Sequence, residues 1–330
     1  MAIAEPLVTV ETLDKLYPVS KGLFARTRSF IHAVDHVNFQ IGRGESLGLV
    51  GESGCGKTTT GKVLVKLLDP TAGHIYLNSN GARMDLATLK GDGVKQFRRQ
   101  VQMIFQDPYE SMNPRRTIFD TVAEPLVVQG IGTLAEREEL VAEALALVGI
   151  SPPSSFMFRF PHELSGGQRQ RVAIARALVV QPTFVVADEP TSMLDVSVRT
   201  GIMHLMLHLA ERLNVTYLYI THDLAVARYM CHRIAVMYLG KIVELAETEE
   251  LLNHPQHPYT KALLASVPVP DPTFKRELAD IKGGVPTPID PPARCRFHDR
   301  CPLAAEVCRD NDHPPLEDKG HAHYVACYRV

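Results

Sequence analysis

The sequence predicts an α/β fold: a parallel sheet built around one phosphate-binding loop, with a helical insertion and a small C-terminal appendage. Three observations carry this expectation. Gly51-Glu52-Ser53-Gly54-Cys55-Gly56-Lys57-Thr58-Thr59 fits the pattern G-x-x-x-x-G-K-[ST]. It stands between a short apolar run at residues 46–50 and the opening turns of an amphipathic helix at residues 61–68. Downstream, apolar strand-like runs alternate with segments of helical period, and one run, Phe184-Val185-Val186-Ala187, ends in two acids, Asp188 and Glu189.

The bulk composition bounds the rest. With 330 residues and 45% hydrophobic content, the chain can bury a full core. The expected division is one large domain, residues 1–266, and an extension, residues 267–330. A net charge of −2 supplies no general basic field for nucleic acid. No apolar run approaches the ~18 residues of a membrane-spanning helix. Residues 1–10 contain Glu5 and Pro6 but no basic region, so no secretory signal is expected. In the cytosol the six cysteines would remain thiols.

Taken in order, residues 7–12 read as an edge strand, followed by residues 16–19 and a basic loop at 20–28. Residues 33–41 alternate apolar and polar side chains, as a half-buried strand does. Residues 42–45 turn the chain into the strand that feeds the phosphate loop. After a break at 69–73 comes a short strand at 74–77. A further strand, 101–105, ends at Gln106. From 107 to 164 the pattern is helical, most clearly at 136–148, with Pro152-Pro153 closing that segment. Helices are expected at 167–180 and 196–213, and strands at 183–187 and 216–220. Helical pieces at 249–253 and 259–266 precede a proline-rich stretch, 267–292, and a cysteine-rich end.

The chemistry follows from the residue types. Glycines let the loop backbone curl so that its N–H groups face phosphate oxygens, and the following helix adds the positive end of its dipole. Lys57 is placed to reach β- and γ-phosphates, and the Thr58 hydroxyl to sit on Mg²⁺. Asp188, at the carboxyl edge of its strand, is placed to hold the metal's hydration shell. Glu189, one residue on, can polarise an attacking water.

Further stretches resemble the ATP-binding-cassette (ABC) ATPases across roughly residues 7–250. Leu164-Ser165-Gly166-Gly167-Gln168-Arg169-Gln170-Arg171 is similar to the family's signature motif. Gln106, in Phe105-Gln106-Asp107-Pro108, resembles its glutamine loop, and His222, in Thr221-His222-Asp223, its switch histidine. Ser192-Met193-Leu194-Asp195 is similar to its D-loop, with Met193 replacing the usual alanine. Tyr17 is placed like the aromatic that stacks on adenine. The resemblance implies a nucleotide-binding domain with a helical subdomain at about 107–164, and ATP with Mg²⁺ as ligands. It implies catalytic roles for Glu189, His222 and Gln106, with Thr58, Gln106 and Asp188 near the metal. It also implies a head-to-tail dimer in which Ser165, Gly166, Gly167, Gln168 and Asp195 of one subunit close over ATP held by the other. The single phosphate loop and the absence of heptads separate the chain from ribosomal and repair cassettes.

Closer stretches resemble the dipeptide/oligopeptide importer ATPases: Tyr17-Pro18-Val19, Lys21-Gly22-Leu23-Phe24, Gln106-Asp107-Pro108-Tyr109, Ser111-Met112-Asn113-Pro114-Arg115 and His257-Pro258-Tyr259-Thr260. The opening and the signature resemble the second ATPase of the pair those importers use. The implied partners are a sister ABC ATPase in a heterodimer, two transmembrane permease subunits and, through the complex, an extracytoplasmic solute-binding protein. The implied location is the cytoplasmic face of the cell membrane. Nickel, oligosaccharide or opine transport stands as the alternative, with a soluble non-transport ABC ATPase behind it.

Cys295, Cys301, Cys308 and Cys327 are spaced C-x₅-C-x₆-C-x₁₈-C. In a proline-rich segment with little apolar content, four thiolates on one metal would supply order that burial does not. The spacing lacks the paired C-x₂-C of a zinc ribbon and matches no ferredoxin run, so by itself it leaves the metal open. The similar importer tails imply a [4Fe–4S] cluster, with zinc as the alternative. His321 and His323 admit a mixed Cys/His zinc site, although histidines in a polar tail are more often solvated. Cys55 reads as a variable loop position and Cys231 as a packed helix residue.

Overall fold

The computed structural model describes residues 6–19, 29–79, 81–267, 281, 283–284 and 286–330. The basic loop at 20–28 and most of the proline-rich stretch lie outside these residues. The chain divides into two compact units. Met1–Gly42, Ser46–Ala87 and Tyr219–Val330 form the first, and Arg43–Glu45 and Thr88–Leu218 the second.

The first unit opens with β1 (Pro6–Val19), β2 (Ser29–Gly42), β3 (Ser46–Val50), α1 (Lys57–Leu64), β4 (Ala72–Ser79) and β5 (Ala82–Asp85). The second contains α2 (Asp92–Gln100), β6 (Val101–Ile104), α3 (Ile118–Gln129), α4 (Leu134–Leu147), α5 (Ser154–Met157), α6 (Gly166–Leu178), β7 (Phe184–Asp188) and α7 (Val196–Leu213). Strand β8 (Thr216–Thr221) passes from the second unit back to the first. There follow α8 (Leu224–Met230), β9 (Arg233–Tyr238), β10 (Lys241–Glu247), α9 (Thr248–Asn253), α10 (Pro258–Ser266), α11 (Glu306–Asp310), β11 (Glu317–Asp318) and β12 (Tyr324–Val325).

In the first unit β1, β2, β4 and β5 form an antiparallel sheet ordered β2-β1-β4-β5. Strand β1 is therefore internal, not the edge strand its polar residues predict. Those residues fall where the ladder is irregular: Thr12 has φ +44°, and the register shifts against both neighbours there. The fully buried β3 runs parallel to β9, with Leu47 opposite Arg233 and Val50 opposite Val236. Strand β10 turns back antiparallel on β9, and β12 adds to β10. In the second unit β6 and β7 are parallel, from Val101 opposite Phe184 to Ile104 opposite Ala187. Among the described residues, no helix is long and apolar enough to cross a membrane.

Three helices of the second unit start with the same device. Thr117, Thr133 and Ser165 each accept the N–H of the residue three positions on, and Asp120, Glu136 and Gln168 each accept the cap's own N–H. Residues 107–117, expected to be helical, are turns. Pro108 and Pro114 lack the N–H a helix needs, while Asp107 Oδ1 accepts the Tyr109 N–H at 2.7 Å and Asn113 Oδ1 accepts the Arg115 N–H at 3.0 Å.

The C-terminal residues pack against the first unit more closely than their low apolar content leads one to expect. Phe297, 1% exposed, meets Tyr238 edge-on at 5.2 Å and Tyr259 at 5.5 Å; fully burying a phenylalanine contributes about 1.5–3 kcal/mol. Val325 pairs with Glu244, and the Ala326 N–H donates to the Val243 carbonyl at 2.9 Å. Cys231 is buried but lies just past the end of α8 in extended conformation, not inside the helix.

His323 is neither solvated nor aimed at the cysteines. It is fully buried, its Nε2 lies 2.6 Å from Glu244 Oε1, and its Nδ1 lies 3.4 Å from both Glu250 Oε1 and Gln256 Nε2. Glu244 also accepts the N–H groups of Gln256 and His257 at 2.7 and 3.1 Å, which anchors the start of α10. Burial opposes protonation of His323, but the hydrogen bond and charge of Glu244, and then those of Glu250, outweigh it and raise its pKa. A raised histidine pKa contributes stability that is fully present below the ordinary value of about 6.5 and is lost as pH rises through the folded value. Hydrogen-exchange protection at Val325 and Ala326, corrected for intrinsic rates, should therefore fall as pH climbs above that value. His323→Gln should flatten the dependence; an unchanged pH profile in the variant would remove His323 from this role.

Candidate functional site

The phosphate-loop residues lie in the first unit between β3 and α1. Gly54 has φ +80° and Gly56 φ +110°, so both use conformations that side chains resist. A Cβ on Gly56 would stand 2.0 Å from the Ala33 carbonyl oxygen, so the loop passes against β2 with no room for a side chain. Lys57 is 5% exposed, and its ammonium donates to the Gly51 and Glu52 carbonyls at 2.7 and 2.9 Å, with Cys55 Sγ at 3.7 Å. It ties both ends of the loop together. Cys55 is buried, not a free loop position, and burial pushes its thiol up while Lys57 pulls it down. Ser53 and Gly54 are exposed at the loop tip, and Thr58 and Thr59 are half-buried in the first turn of α1. The Thr60 hydroxyl, one position further, bonds the Gly56 carbonyl at 3.0 Å and so fixes the start of the helix.

Glu52 is held at three points. Its N–H donates to Tyr259 Oη at 2.9 Å, its carbonyl accepts from Lys57, and its carboxylate takes a two-pronged bond from Arg300, at 2.8 and 3.1 Å. Neither Arg300 nor a role for Tyr259 was legible in the sequence beyond the His257-Pro258-Tyr259-Thr260 stretch itself. Tyr17 sits half-buried in β1 opposite Ile31, with the Lys15 ammonium 5.3 Å from its ring centre. His222 is exposed between β8 and α8. Next to it, Asp223 accepts the Ala225 and Val226 N–H groups at 2.9 and 3.3 Å and so starts α8.

In the second unit the structure brings Gln106 and Glu189 together: Gln106 Nε2 donates to Glu189 Oε2 at 3.2 Å. Asp188, 3% exposed, ends β7. Glu189 takes φ +43°, an unfavourable conformation that changes the chain direction as it leaves the strand. Its carbonyl accepts the Ser192 N–H and hydroxyl at 3.1 and 3.0 Å. Ser165, Gly166, Gly167 and Gln168 form the first turn of α6, with Ser165 exposed. Behind them Arg169 is buried, its guanidinium 3.9 Å from the Tyr109 ring centre. A Cβ on Gly167 would meet Val198 Cγ1 at 2.6 Å, so the start of α6 packs directly on α7. Asp195 is the exposed residue that begins α7.

Cys295, Cys301, Cys308 and Cys327 converge in the first unit. The Cys295 N–H donates to the Cys308 carbonyl at 3.2 Å. Burial first, then the charges of the other three thiols, push Cys295 up to about 11. Cys301 and Cys327 are raised too, mainly by burial, with Cys308 among the neighbours that add to it. Among the described residues no three of these sulfurs lie mutually within 4.8 Å.

Residues 34–192 match the family profile described as "ABC transporter", and residues 243–308 the profile "Oligopeptide/dipeptide transporter, C-terminal region". The chain is 45% identical to the oligopeptide transport ATP-binding protein AppF of Bacillus subtilis (strain 168), across 98% of this chain and 97% of that protein. It is 43% identical to the dipeptide transport ATP-binding protein DppF of Haemophilus influenzae, again across 98% and 97%. Among solved structures it resembles the dimeric, post-hydrolysis state of an ATP-binding cassette bound to ADP and Pi, with 31% identity and a TM-score of 0.63, covering 73% of this chain and 98% of that one. The chain belongs to the ATP-binding-cassette transporter ATPases, in the group that carries the oligopeptide/dipeptide transporter C-terminal region.

Proposed function

We propose that this chain is the ATPase subunit that powers import of di- or oligopeptides through separate membrane subunits. The observation that carries the reading is the joining, in one chain, of a glycine-built phosphate loop closed by Lys57 with a C-terminal region shared with oligopeptide transport proteins. Residues 1–266 would form the nucleotide-binding domain, with a helical subdomain at about 107–164, and residues 267–330 the extension.

The loop fits a triphosphate because Gly54 and Gly56 take positive φ values that let the backbone curl, so that its N–H groups can face the ligand. Lys57 would exchange its loop carbonyls for β- and γ-phosphate oxygens. Residues 51–59 would hold the phosphates and Tyr17 would stack on adenine. Thr58, Gln106 and Asp188 would hold magnesium, which when bound would offset charge on the β- and γ-oxygens. Glu189 would take the proton of the attacking water, with Gln106 orienting its carboxylate and His222 the water. Ser165, Gly166, Gly167, Gln168 and Asp195 would complete the ATP site of a second cassette in a head-to-tail dimer. The second cassette would be a sister ATPase, working with two permeases and a solute-binding protein at the cytoplasmic membrane face.

For the extension we propose that Cys295, Cys301, Cys308 and Cys327 hold a [4Fe–4S] cluster. Four buried or half-buried thiols form a suitable donor set. The resemblance of this tail to those of importer ATPases supports a cluster, with zinc as the alternative, because the donor set itself suits either metal. The cluster would act as a crosslink, since ATP hydrolysis needs no electron.

Reconstituting the intact complex and following ATP-dependent uptake of labelled peptides tests the transport reading; uptake of nickel or oligosaccharide without peptide would move it to the alternative. Counting ATPase chains in that complex tests the pairing, and two copies of this chain with no sister would exclude the heterodimer. Anaerobic purification with iron and zinc analysis tests the centre. Brown protein carrying iron is expected, and colourless protein with stoichiometric zinc would replace the cluster while keeping the four-cysteine site.

A further inference from the structure

We propose that Arg300 is a positioning residue for the phosphate loop. It neutralises and fixes Glu52, so that the loop's affinity for a triphosphate depends on how the cysteine-bearing segment is seated. The proposal rests on the reading of the loop as an ATP site. Arg300 ends a 3₁₀ turn, His298–Arg300, directly before Cys301, and its N–H donates to the Phe297 carbonyl at 3.0 Å. Its side chain is 9% exposed and reaches back across the sequence to the carboxylate of Glu52, which is 30% exposed. The fork geometry, Nη1 to Oε2 at 2.8 Å and Nη2 to Oε1 at 3.1 Å, fixes the orientation of the carboxylate as well as its charge.

Two physical effects follow. Glu52 belongs to a loop whose task is to hold up to four negative charges, and an uncompensated carboxylate there opposes the ligand. Arg300 cancels that charge from inside the fold, where salt screens it less than on an open surface. The second effect is preorganisation. Glu52 is gripped through its side chain by Arg300 and through its N–H by Tyr259, and both residues pack on one aromatic group. Tyr238 and Tyr259 lie 4.6 Å apart, Phe297 touches both, and the Arg300 guanidinium lies 5.7 Å from the Tyr238 ring centre. A loop already held in one shape loses less freedom on binding.

A purely structural pair would merely fasten the tail to the core, and the two roles separate in a charge-deletion cycle on the full chain. Arg300→Gln exposes the Glu52 charge and should weaken Mg-ATP binding by about tenfold, with a smaller loss for AMP, which carries less charge. Turnover at saturating ATP should stay near the wild-type rate, because Glu189 and Gln106 are untouched. Combining it with Glu52→Gln removes the stranded carboxylate and should restore most of the affinity. Arg300→Lys keeps the charge without the fork and should fall between. Iron and zinc content of each variant reports whether the tail stays seated. If the double variant binds ATP as poorly as Arg300→Gln, Arg300 does not act by neutralising Glu52, and if Arg300→Gln binds like wild type, Arg300 does not position the loop at all; either result overturns the proposal. If wild type itself binds no ATP, the failure lies with the site reading instead.

Discussion

Glu189→Gln is expected to leave ATP binding intact and to lower turnover by about 10² to 10⁴, the usual worth of acid–base assistance. The glutamine keeps the volume and can still meet Gln106, so the end of β7 and the left-handed step at Glu189 should survive the change. What it loses is the ability to accept a proton. The geometry makes the separation clean, because the groups proposed to hold phosphates, Lys57 and the loop N–H groups, are built on α1 and the turn before it. Equilibrium binding of ATP and steady-state phosphate release, measured on the same preparation, check it. Near-normal turnover would remove Glu189 as the base, whereas loss of binding would make it a ligand-holding residue.

The parts of the fold that were legible are those where burial is continuous and local. Strand β3 is apolar at nearly every position, and α7 was expected at 196–213, where the structure places Val196–Leu213. The parts that were missed depend on distant partners. Strands β9 and β10 carry no strand pattern that the sequence alone distinguishes. Glu244 breaks the apolar run of β10, and its complete burial makes sense only beside Gln256, His257 and His323, the last of them 79 positions later. The hidden position of β1 depends on β4 as well as β2, and no local pattern conveys a second neighbour. The same limit applies to the site. The residue types of the phosphate loop named its chemistry, but the grip on Glu52 comes from Arg300, 248 positions away, and no spacing rule links them.

Gly56→Ala is expected to abolish nucleotide binding, while Gly54→Ala, two residues earlier in the same loop, should weaken it by no more than about thirtyfold. Both glycines have positive φ, so alanine at either pays the backbone cost of about 1–2 kcal/mol for an L-residue in that region. They differ in surroundings. Around Gly54 nothing lies within 4 Å of the added carbon, so strain is the whole effect. At Gly56 the carbon would stand 2.0 Å from the Ala33 carbonyl oxygen and 2.9 Å from Met237 Cε. The methionine end can move aside, but Ala33 belongs to β2 and its carbonyl cannot retreat without disturbing that ladder. The loop must then move instead. Moving it breaks the Gly56 carbonyl's bonds to the Thr60 N–H and hydroxyl, at 2.9 and 3.0 Å, which define the first turn of α1. Lys57 follows directly, so its ammonium would leave the Gly51 and Glu52 carbonyls as well. ATP titration of the two variants, with thermal melting to confirm that each is folded, distinguishes them. Equal losses at both positions would mean that backbone strain alone, and not the closeness of β2, sets the need for glycine in this loop.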